Sequence, residues 1–452
     1  MKEPILIGNG QGFWGDSIEA PIKLIEGGPL HYLTLDYLAE VTMSIMQRQK
    51  QKNPQRGYAT DFVDLIGKIL PTLVEKNIKV IANAGGVNPK ACLEALFAVA
   101  KKTGVHGLKI GVVEGDDILQ QLPQMIDSGV AFKHLETGES IVPFRDKILS
   151  ANVYISSLPI VDALQQGAQI VVTGRATDPG LVMAPMVYEF DWQHDDWDKL
   201  AAGTIAGHIL ECGAQATGGN FTRWWEVPDY ATIGYPIAEA FADGTFNITK
   251  HPGTGGLVTV DTVSEQIVYE MGDPKNYISP DVQVDFTTIR LEQIGTNKVR
   301  VHGIKGSPKP ESYKVSMSYH KGFKASGTLT VSGPDAYKKA QKCAEIIWQR
   351  LENSGYTFAE TNTEFLGLNS CHGEINPFPE QINEVVLRLS AKDEDDRKII
   401  RFGKEIAPLI TNGPPGITGF AGGRPKPQGI VAYWPALMDR NLVKTKVTVE
   451  EV

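Results

Sequence analysis

Short apolar runs alternate with amphipathic helical patterns through the first half of the chain. Apolar runs bounded by glycine, proline or acidic residues are typical of buried strands, and apolar positions three and four residues apart are typical of helices. The predicted strands are Ile5–Ile7, Leu30–Asp36, Ile78–Ala82, Leu108–Val113, Val153–Ile155 and Ile170–Thr173. Strands that alternate with helices in this way predict parallel pairing through right-handed crossovers.

The helices between these strands carry recognisable start signals. Asn88-Pro89 and Asp178-Pro179 each combine an N-cap residue with a first-turn proline. Helices are expected over Ser17–Glu26, Asp61–Lys76, Asn88–Lys102, Val161–Gln166 and Leu200–Gln215. The pattern predicts an α/β fold with a doubly wound, mostly parallel, Rossmann-like sheet. A closed barrel is the alternative, although eight strand-helix units cannot be found.

The pattern changes near Trp224, where apolar runs become more frequent and helices fewer. The expected strands are Leu257–Val260, Val282–Leu291, Val299–Val301, Tyr313–Ser318, Gly327–Val331 and Val385–Leu389. Helices are expected over Ala336–Arg350 and Glu394–Leu409. Strands grouped in this way predict an α+β arrangement with a mixed sheet. We therefore expect a Rossmann-like α/β domain over residues 1–225 and an α+β domain over residues 226–452.

Composition narrows the class of protein. A chain of 452 residues is too long for one ordinary core, and its net charge of −9 argues against nucleic acid as a partner. It has no apolar window long enough to span a membrane and no basic-then-apolar leader, so neither a membrane segment nor a secretion signal is expected. Four scattered cysteines without a Cys-x-x-Cys pair favour reduced thiols and a cytoplasmic location. Homo-oligomerisation is the commonest assembly for such a protein.

A glycine turn follows the first predicted strand. Gly10, Gly12 and Gly15 lie between the strand and Asp16, which can cap a helix. A helix that starts at Asp16 or the next residue would direct its positive end toward the turn, an arrangement that binds anions. The glycine spacing also fits part of the dinucleotide fingerprint, and Asp36 follows at about the expected distance of 20 residues. A turn of this kind also occurs without any ligand.

Polar residues and glycines follow each predicted strand of the first half. They are Gly10, Gly12, Asp16, Asp36, Asn83, Gly85, Gly86, Glu114, Asp116, Asp117, Thr173, Arg175 and Asp178. The carboxyl ends of parallel strands meet at one edge of a sheet, where α/β proteins bind ligands. We expect these groups to surround one anion-binding hollow that the C-terminal half covers. Helix caps and turns need the same residue types, so a purely structural explanation remains open for each residue.

Arg175 offers the planar donor pair that suits a carboxylate or a phosphate. A salt bridge to Asp178 is the equally weighted alternative. A second arginine, Arg424, lies in the glycine- and proline-rich segment Asn412–Pro425. This segment is either a loop that covers a cleft and directs Arg424 toward an anion, or a structural excursion that packs the last strands.

His208 and Glu211 are three positions apart on a predicted helix and therefore share one face. A carboxylate beside an imidazole fixes the ring tautomer, which makes the two residues a candidate acid/base pair. Two ligands do not make a metal site, and no third ligand is evident nearby, so no metal is predicted. A buried histidine paired with a structural glutamate is the alternative.

Five segments together resemble the AtuA-like family, named for acyclic terpene utilisation. They are Gly10–Asp16, Thr173–Asp178, Gly207–Gln215, Gly255–Val258 and Gly413–Gly416. The resemblance implies a role beside acyl-CoA carboxylases and dehydrogenases in the breakdown of branched or terpenoid acids. Many members carry a further ferredoxin-like domain that this chain lacks, so a separate small ferredoxin-like subunit is a candidate partner. The resemblance brings no agreed reaction and assigns no catalytic residue.

Three functions are compatible with these observations. The first is a cytoplasmic enzyme of organic-acid or acyl-CoA catabolism that uses lyase- or hydratase-type proton chemistry in a cleft between the two domains. His208, Glu211, Arg175 and Asp178 would act on a carboxylate or CoA thioester, and the CoA moiety of the substrate is the candidate cofactor. The second is a nicotinamide-dependent oxidoreductase that uses the first glycine turn and Asp36. The third is a non-catalytic subunit of an acyl-CoA-processing complex.

Overall fold

The computed structural model describes residues 2–375, 381–419 and 422–452. The protein is mixed α/β, with 35% helix and 27% strand, which confirms the predicted α/β class at this level. The helices are α1 (Ala20–Gly27), α2 (Glu40–Lys52), α3 (Thr60–Glu75), α4 (Pro89–Thr103), α5 (Leu122–Asp127), α6 (Leu158–Gln165), α7 (Gly180–Phe190), α8 (Trp197–Leu210), α9 (Val260–Val268), α10 (Ala336–Asn353), α11 (Asp396–Glu405) and α12 (Leu409–Asn412). No described helix combines the length and the hydropathy needed to cross a lipid bilayer.

The strands are numbered in chain order. They are β1 (Ile5–Gln11), β2 (Tyr32–Leu35), β3 (Lys79–Ala82), β4 (Lys109–Glu114), β5 (Ile148–Val153), β6 (Ile170–Thr173), β7 (Ile237–Ala240), β8 (Phe246–Thr249), β9 (Tyr277–Ile278), β10 (Gln283–Asp285), β11 (Arg290–Gly295), β12 (Lys298–His302), β13 (Lys305–Ser307), β14 (Ser312–Ser332), β15 (Glu360–Leu366), β16 (Glu384–Asp393), β17 (Gln428–Asp439) and β18 (Lys446–Glu451). The chain forms two compact units. The large unit runs up to Ser318 and includes Tyr433–Val452, and the small unit is Tyr319–Ala432.

A ten-stranded mixed sheet organises the large unit. Its strand order is β11-β12-β8-β7-β1-β2-β3-β6-β4-β18. The five central strands, β1, β2, β3, β6 and β4, pair in parallel, and the flanking strands pair antiparallel. Because β7 adds directly to the edge of β1, residue 225 lies inside the large unit rather than between the units. The carboxyl ends of the parallel strands supply most of the site residues considered below.

Three strand predictions are wrong. The run at Val282–Leu291 is not one strand, because a 3-10 turn over Phe286–Thr288 separates β10 from β11 and the two strands belong to different sheets. The apolar run at Val153–Ile155 was expected to supply a strand of the parallel series, but β5 ends at Val153 and pairs with β14 outside the large sheet. Residues Leu257–Val260 lead into helix α9 rather than forming a strand. Thr259 caps this helix, because its side chain accepts a hydrogen bond from the Thr262 N–H at 3.2 Å and the Thr262 hydroxyl accepts one from the Thr259 N–H at 2.9 Å. This reciprocal capping outweighs the short apolar run.

The small unit has its own sheet and core. Strands β15, β16 and β14 pair antiparallel, and the apolar face of α10, which includes Ala340, Cys343 and Ile347, is buried in the core. The glycine- and proline-rich segment lies in this unit, with Phe420 and Ala421 outside the described residues. Arg424 is exposed in this unit. Its predicted contact with an anion remains a prediction.

Candidate active site

A cavity of about 500 Å³ lies within the large unit. That volume is in the range of small-molecule binding sites. Its lining residues are Leu135, Tyr154, Thr177, Asp178, Pro179, His208, Glu211, Glu270, Tyr277, Ile278, Ser279, Pro280, Pro310, Ser312, Lys314 and Leu437. Three residues singled out from the sequence, Asp178, His208 and Glu211, therefore meet at one wall although they come from two different helices and their adjoining turns.

Close helix packing brings these three residues together. Gly207 precedes His208 in the last turn of α8, and a Cβ added there would lie 2.3 Å from the Pro179 carbonyl oxygen. Since real Cβ atoms do not approach oxygen so closely, only glycine lets α8 pack directly against the start of α7. Asp178 stands immediately before Pro179, so the same contact places it beside His208. The Gly207-His208 dipeptide is thus a packing signal as well as a candidate chemical one.

His208 bonds on both sides of its ring. Its Nε2 lies 3.1 Å from the Ile267 carbonyl oxygen, and its Nδ1 lies 3.0 Å from Glu211 Oε1. A carbonyl only accepts, so Nε2 carries a hydrogen. The Nδ1 contact then needs a second proton, either on His208 as an imidazolium or on Glu211 as a carboxylic acid. The pair therefore shares one exchangeable proton at the cavity wall.

Burial and charge both act on this pair. Burial raises the pKa of Glu211, only partly offset by the charge of His208. Burial alone would lower the pKa of His208, but the charge and hydrogen bond of Glu211 outweigh it and the pKa is raised. Both directions mean that the pair keeps its proton to a higher pH than the isolated groups would. Glu211 Oε2 is buried and finds no hydrogen-bond partner among the described residues, and an unsatisfied buried polar group carries a free-energy cost.

Arg175 is engaged within the protein. Its Nη2 donates to Asp178 Oδ2 at 2.8 Å, its Nη1 donates to the Leu38 carbonyl, and its guanidinium carbon lies 4.0 Å from the ring centroid of Tyr154. The side chain is 2% exposed. The structure therefore shows the salt bridge that the sequence left as one of two alternatives, and Arg175 holds Asp178 and Tyr154 in place behind the cavity wall.

Three residues of the cavity lining, described next, were not predicted from the sequence. Lys314, on β14, places its ammonium 4.7 Å from the Tyr154 ring centroid. Tyr277, on β9, packs against the imidazole of His208 with ring centroids 5.6 Å apart. Glu270 follows helix α9. All three lie in the second half of the chain, at positions that no motif marks, so their signal exists only after the chain has folded.

Asp16, the acid that ends the first glycine turn, forms a hydrogen bond within the turn itself. Asp16 accepts hydrogen bonds from the Gly12 N–H at 2.9 Å and from the Tyr235 hydroxyl at 2.7 Å. The expected helix start at Asp16 or Ser17 is wrong, because α1 begins at Ala20 and Asp16 binds the turn instead of capping the helix. A Cβ on Gly12 would lie 2.8 Å from the Cys212 carbonyl carbon. The turn thus packs against the segment that follows α8.

The other two glycines of this turn have different surroundings. A Cβ on Gly10 would meet the backbone of Pro21 at 3.0 Å, so close packing accounts for this glycine. Gly15 has a φ of +101° with open space around it, so its backbone conformation is the reason that glycine is favoured there. The described lining of the 500 Å³ cavity includes no residue of this turn.

Asp36 is buried behind the cavity. Asn83 Nδ2 donates to Asp36 Oδ1 at 2.6 Å, and the Tyr37 N–H donates to Asn83 Oδ1 at 2.7 Å. Burial, together with the charge of Asp178, raises the pKa of Asp36 well above its ordinary value. Asp36 is therefore part of a buried polar network with Asn83, rather than an exposed acid placed to meet a ribose.

The remaining strand-end residues lie elsewhere. Gly86 and Glu114 line a second cavity of about 220 Å³ together with Asp116 and Asp117. Gly85 donates its N–H to the carbonyl of the fully buried Thr173 at 3.0 Å. The predicted residues are thus divided between two cavities and the packed interior. Within the described ranges, no group of three or more histidine, cysteine or acidic side chains is arranged to hold a metal ion.

The fold and the site define a mixed α/β protein with a buried histidine–glutamate pair at a ligand-sized cavity. The sequence model of the acyclic terpene utilisation family protein AtuA matches residues 5–449, nearly the whole chain, so the chain belongs to this family and the resemblance seen in its motifs is confirmed. Comparison with curated proteins and with solved structures gave no match.

Proposed function

We propose that the large unit is an enzyme of organic-acid or acyl-CoA breakdown that performs lyase- or hydratase-type proton chemistry in the 500 Å³ cavity. The observation that carries this proposal is the His208–Glu211 pair, which holds one proton at the cavity wall. Membership of the acyclic terpene utilisation family supports branched or terpenoid acids as the substrate class. The proposal includes a doubly wound, Rossmann-like parallel core and a cytoplasmic location.

Addition of water to a carbon–carbon double bond needs two proton transfers. The water oxygen forms a C–O bond to one carbon as the π bond breaks, the O–H bond of that water gives its proton to a base, and the other carbon forms a C–H bond with a proton from an acid; elimination is the reverse. The His208–Glu211 pair supplies or takes back one proton. Asp178, which lies beside the pair and is held by Arg175, is our candidate for the second transfer.

The cavity also offers an anchor for the substrate. Lys314 is the lining residue with a cationic ammonium, and Tyr154 beneath it limits how the side chain can move. We propose that Lys314 binds the carboxylate or thioester end of the substrate. Leu135, Ile278 and Leu437 supply the apolar lining that a hydrocarbon chain needs.

A second buried histidine provides a matched comparison. His251 Nε2 lies 2.9 Å from the Leu24 carbonyl, as His208 Nε2 lies near that of Ile267, and the side chain is also buried. His251 lines only a crevice of about 20 Å³, whereas His208 has both a carboxylate partner and a large cavity. A structural role for His208 would make the two residues respond alike to substitution, and a catalytic role would not.

The experiment compares His208→Gln and Glu211→Gln with His251→Gln. Purified proteins are incubated with branched enoic acids, the corresponding 3-hydroxy acids and their CoA thioesters, and the gain or loss of water is followed by mass spectrometry. We expect wild type and His251→Gln to turn over the same member of this panel. The His208→Gln and Glu211→Gln variants should be slower by about 10²–10⁴-fold while they stay folded. Unchanged turnover in folded His208→Gln protein would remove the proposed role.

A non-catalytic role in an acyl-CoA-processing complex is the second candidate. Trp224 and Trp225 are adjacent and 63% and 65% exposed, and exposed aromatic side chains of this size mark protein interfaces more often than plain surface. Purification of the tagged chain from its native host tests this role. Stoichiometric partners that are lost from a Trp224→Ala/Trp225→Ala variant would favour it, together with the absence of turnover by the isolated chain.

A further inference from the structure

Glu270 has a backbone conformation that its residue type disfavours. Eight described residues other than glycine have positive φ, namely Asn77, Phe132, Asp191, Asn220, Asp229, Glu270, Asn297 and Asp335. Six of these are asparagine or aspartate, which tolerate the left-handed region because their short polar side chains bond locally. Phe132 and Glu270 are the two exceptions in this set, so the positive φ of each needs a physical explanation.

Packing explains Phe132 but not Glu270. Phe132 is 1% exposed, and its carbonyl accepts a hydrogen bond from Trp434 Nε1 at 2.9 Å. Glu270, with a φ of +54°, is exposed and stands two residues after the end of α9, where glycine is the favoured residue. Substitution of this glutamate by glycine would relieve the backbone. Any advantage of glutamate over glycine at this position therefore lies in its side chain and not in its backbone.

Glu270 lies at the wall of the cavity, near the His208–Glu211 pair. It lines the cavity with His208 and Glu211, and its negative charge contributes to the raised pKa of both. A hydrogen bond to Glu270 is also the main cause that raises the pKa of the neighbouring Tyr269 to about 12. Strained residues at cavity walls are a recognised mark of functional sites.

Other charged or titratable groups lie near the pair, in the segments that follow β6 and β2 and on β9. Asp178 follows β6 and Asp36 follows β2, and the charge of Asp178 acts on Glu211 while that of Glu211 acts on Asp36. Arg175 opposes the charge of Asp36, and Tyr277 faces His208 from β9. Most of these groups are buried and held by protein hydrogen bonds. Glu270 differs from them because it is exposed and strained.

We propose that Glu270 is a positioning residue of the acid–base site, whose carboxylate faces the cavity to keep the shared proton on the His208–Glu211 pair. This inference rests on the proposed function, since it assigns Glu270 to the same site. A negative charge near the pair stabilises the imidazolium and disfavours ionisation of Glu211. The pair consequently remains a proton donor at a pH where an isolated histidine would be neutral.

The test uses the full-length protein and needs no substrate. Histidine labelled with ¹⁵N reports the protonation of each ring, and the His208→Gln spectrum identifies the signals of His208. Titrations of wild type, Glu270→Gln and Glu270→Gly are compared with Asp191→Gly. Asp191 is the matched control because it also has positive φ, 53°, at the end of a helix but does not line the cavity.

We expect the midpoint of the His208 titration to fall by about 0.5–1 pH unit in Glu270→Gln and Glu270→Gly, and to stay unchanged in Asp191→Gly. The melting temperature of Glu270→Gly should equal or exceed that of wild type, because glycine relieves the strain. With a substrate from the panel above, the basic limb of the turnover profile should move to lower pH in Glu270→Gln.

Two results would overturn the inference. One is a His208 midpoint in Glu270→Gln that equals the wild-type value. The other is a lower melting temperature in Glu270→Gly, which would make Glu270 a structural residue. The proposed function fails by a different readout, namely unchanged turnover in His208→Gln. Because the titration is measured without substrate, the two failures are distinguishable.

Discussion

Asp116 provides a quantitative test of the electrostatics beneath the site. Its Oδ2 accepts hydrogen bonds from the Arg175 N–H at 2.7 Å and from Asn152 Nδ2 at 2.9 Å. A Cβ on Gly174 would lie 2.2 Å from Asp116 Oδ1, so the carboxylate packs directly under the turn that leads to Asp178. Asp116→Asn keeps the shape and one acceptor oxygen but removes the ionisable group.

The size of the stability difference between Asp116→Asn and wild type follows from the pKa of Asp116. Burial raises the pKa of Asp116 to about 6 from an ordinary value of 3.8. Because the folded pKa is the higher one, the stability that Asp116 contributes is fully present below pH 3.8 and is lost as the pH rises toward 6. A difference of about two units corresponds to about 3 kcal/mol. Asparagine does not titrate, so the variant should gain about 3 kcal/mol relative to wild type between pH 3.5 and pH 7.

Urea unfolding at several pH values, followed by tryptophan fluorescence, measures this difference directly. Asp196→Asn is a control of opposite sign. The backbone hydrogen bond from Gln193 is the largest cause that lowers the pKa of Asp196, so its stabilisation is present above pH 3.8 and is lost below it. A stability difference between Asp116→Asn and wild type that stays flat with pH, or falls as pH rises, would refute the reasoning.

Three further predictions follow from the packing. Gly12→Ala forces a Cβ against the backbone of Cys212 and should cost roughly 1–3 kcal/mol in urea unfolding, whereas Gly272→Ala serves as a control because a Cβ there would meet nothing within 4 Å. Thr259→Ala removes the cap of α9 and should cost about 1 kcal/mol, measured in the same way. Titration with millimolar NAD(H) or NADP(H) should leave the melting temperature unchanged, because Asp16 already occupies the N–H of the first glycine turn, and a clear rise would revive the nicotinamide alternative.

The sequence predicted the parallel strands of the fold better than the antiparallel ones. β2, β3 and β6 are short, continuous apolar runs between helices, and such runs identify strands buried on both faces. Pairing between distant segments leaves no such mark. The antiparallel contact between β1 and β7 joins residues more than 200 positions apart, and nothing in the alternation of either segment predicts it. At α9, capping by Thr259 and Thr262 outweighed an apolar run that resembles a strand.

The candidate site was predicted in the same uneven way. His208 and Glu211 could be paired from their spacing alone, because residues three apart on a helix share a face. Gly207 packs against Pro179 and so brings Asp178 beside them. This packing could not be predicted from the sequence, because it depends on how two helices cross. Lys314 and Glu270 reach the cavity through tertiary structure only. Glycine-rich turns were the least reliable signal, because the first of them is satisfied by its own aspartate.

The charges around the cavity account for the protonation of the buried Asp36. Asp36, Asp178 and Glu211 face two cationic partners, Arg175 and protonated His208. An unbalanced negative charge in a buried cluster is costly, so the cluster must hold an additional proton. The raised pKa of Asp36 assigns that proton to the deepest member, where Asn83 and the Leu38 N–H fix the other carboxyl oxygen. A proton on Asp36 balances the charge of the cluster, so that in the mechanism proposed above only the proton shared by Glu211 and His208 takes part in transfer.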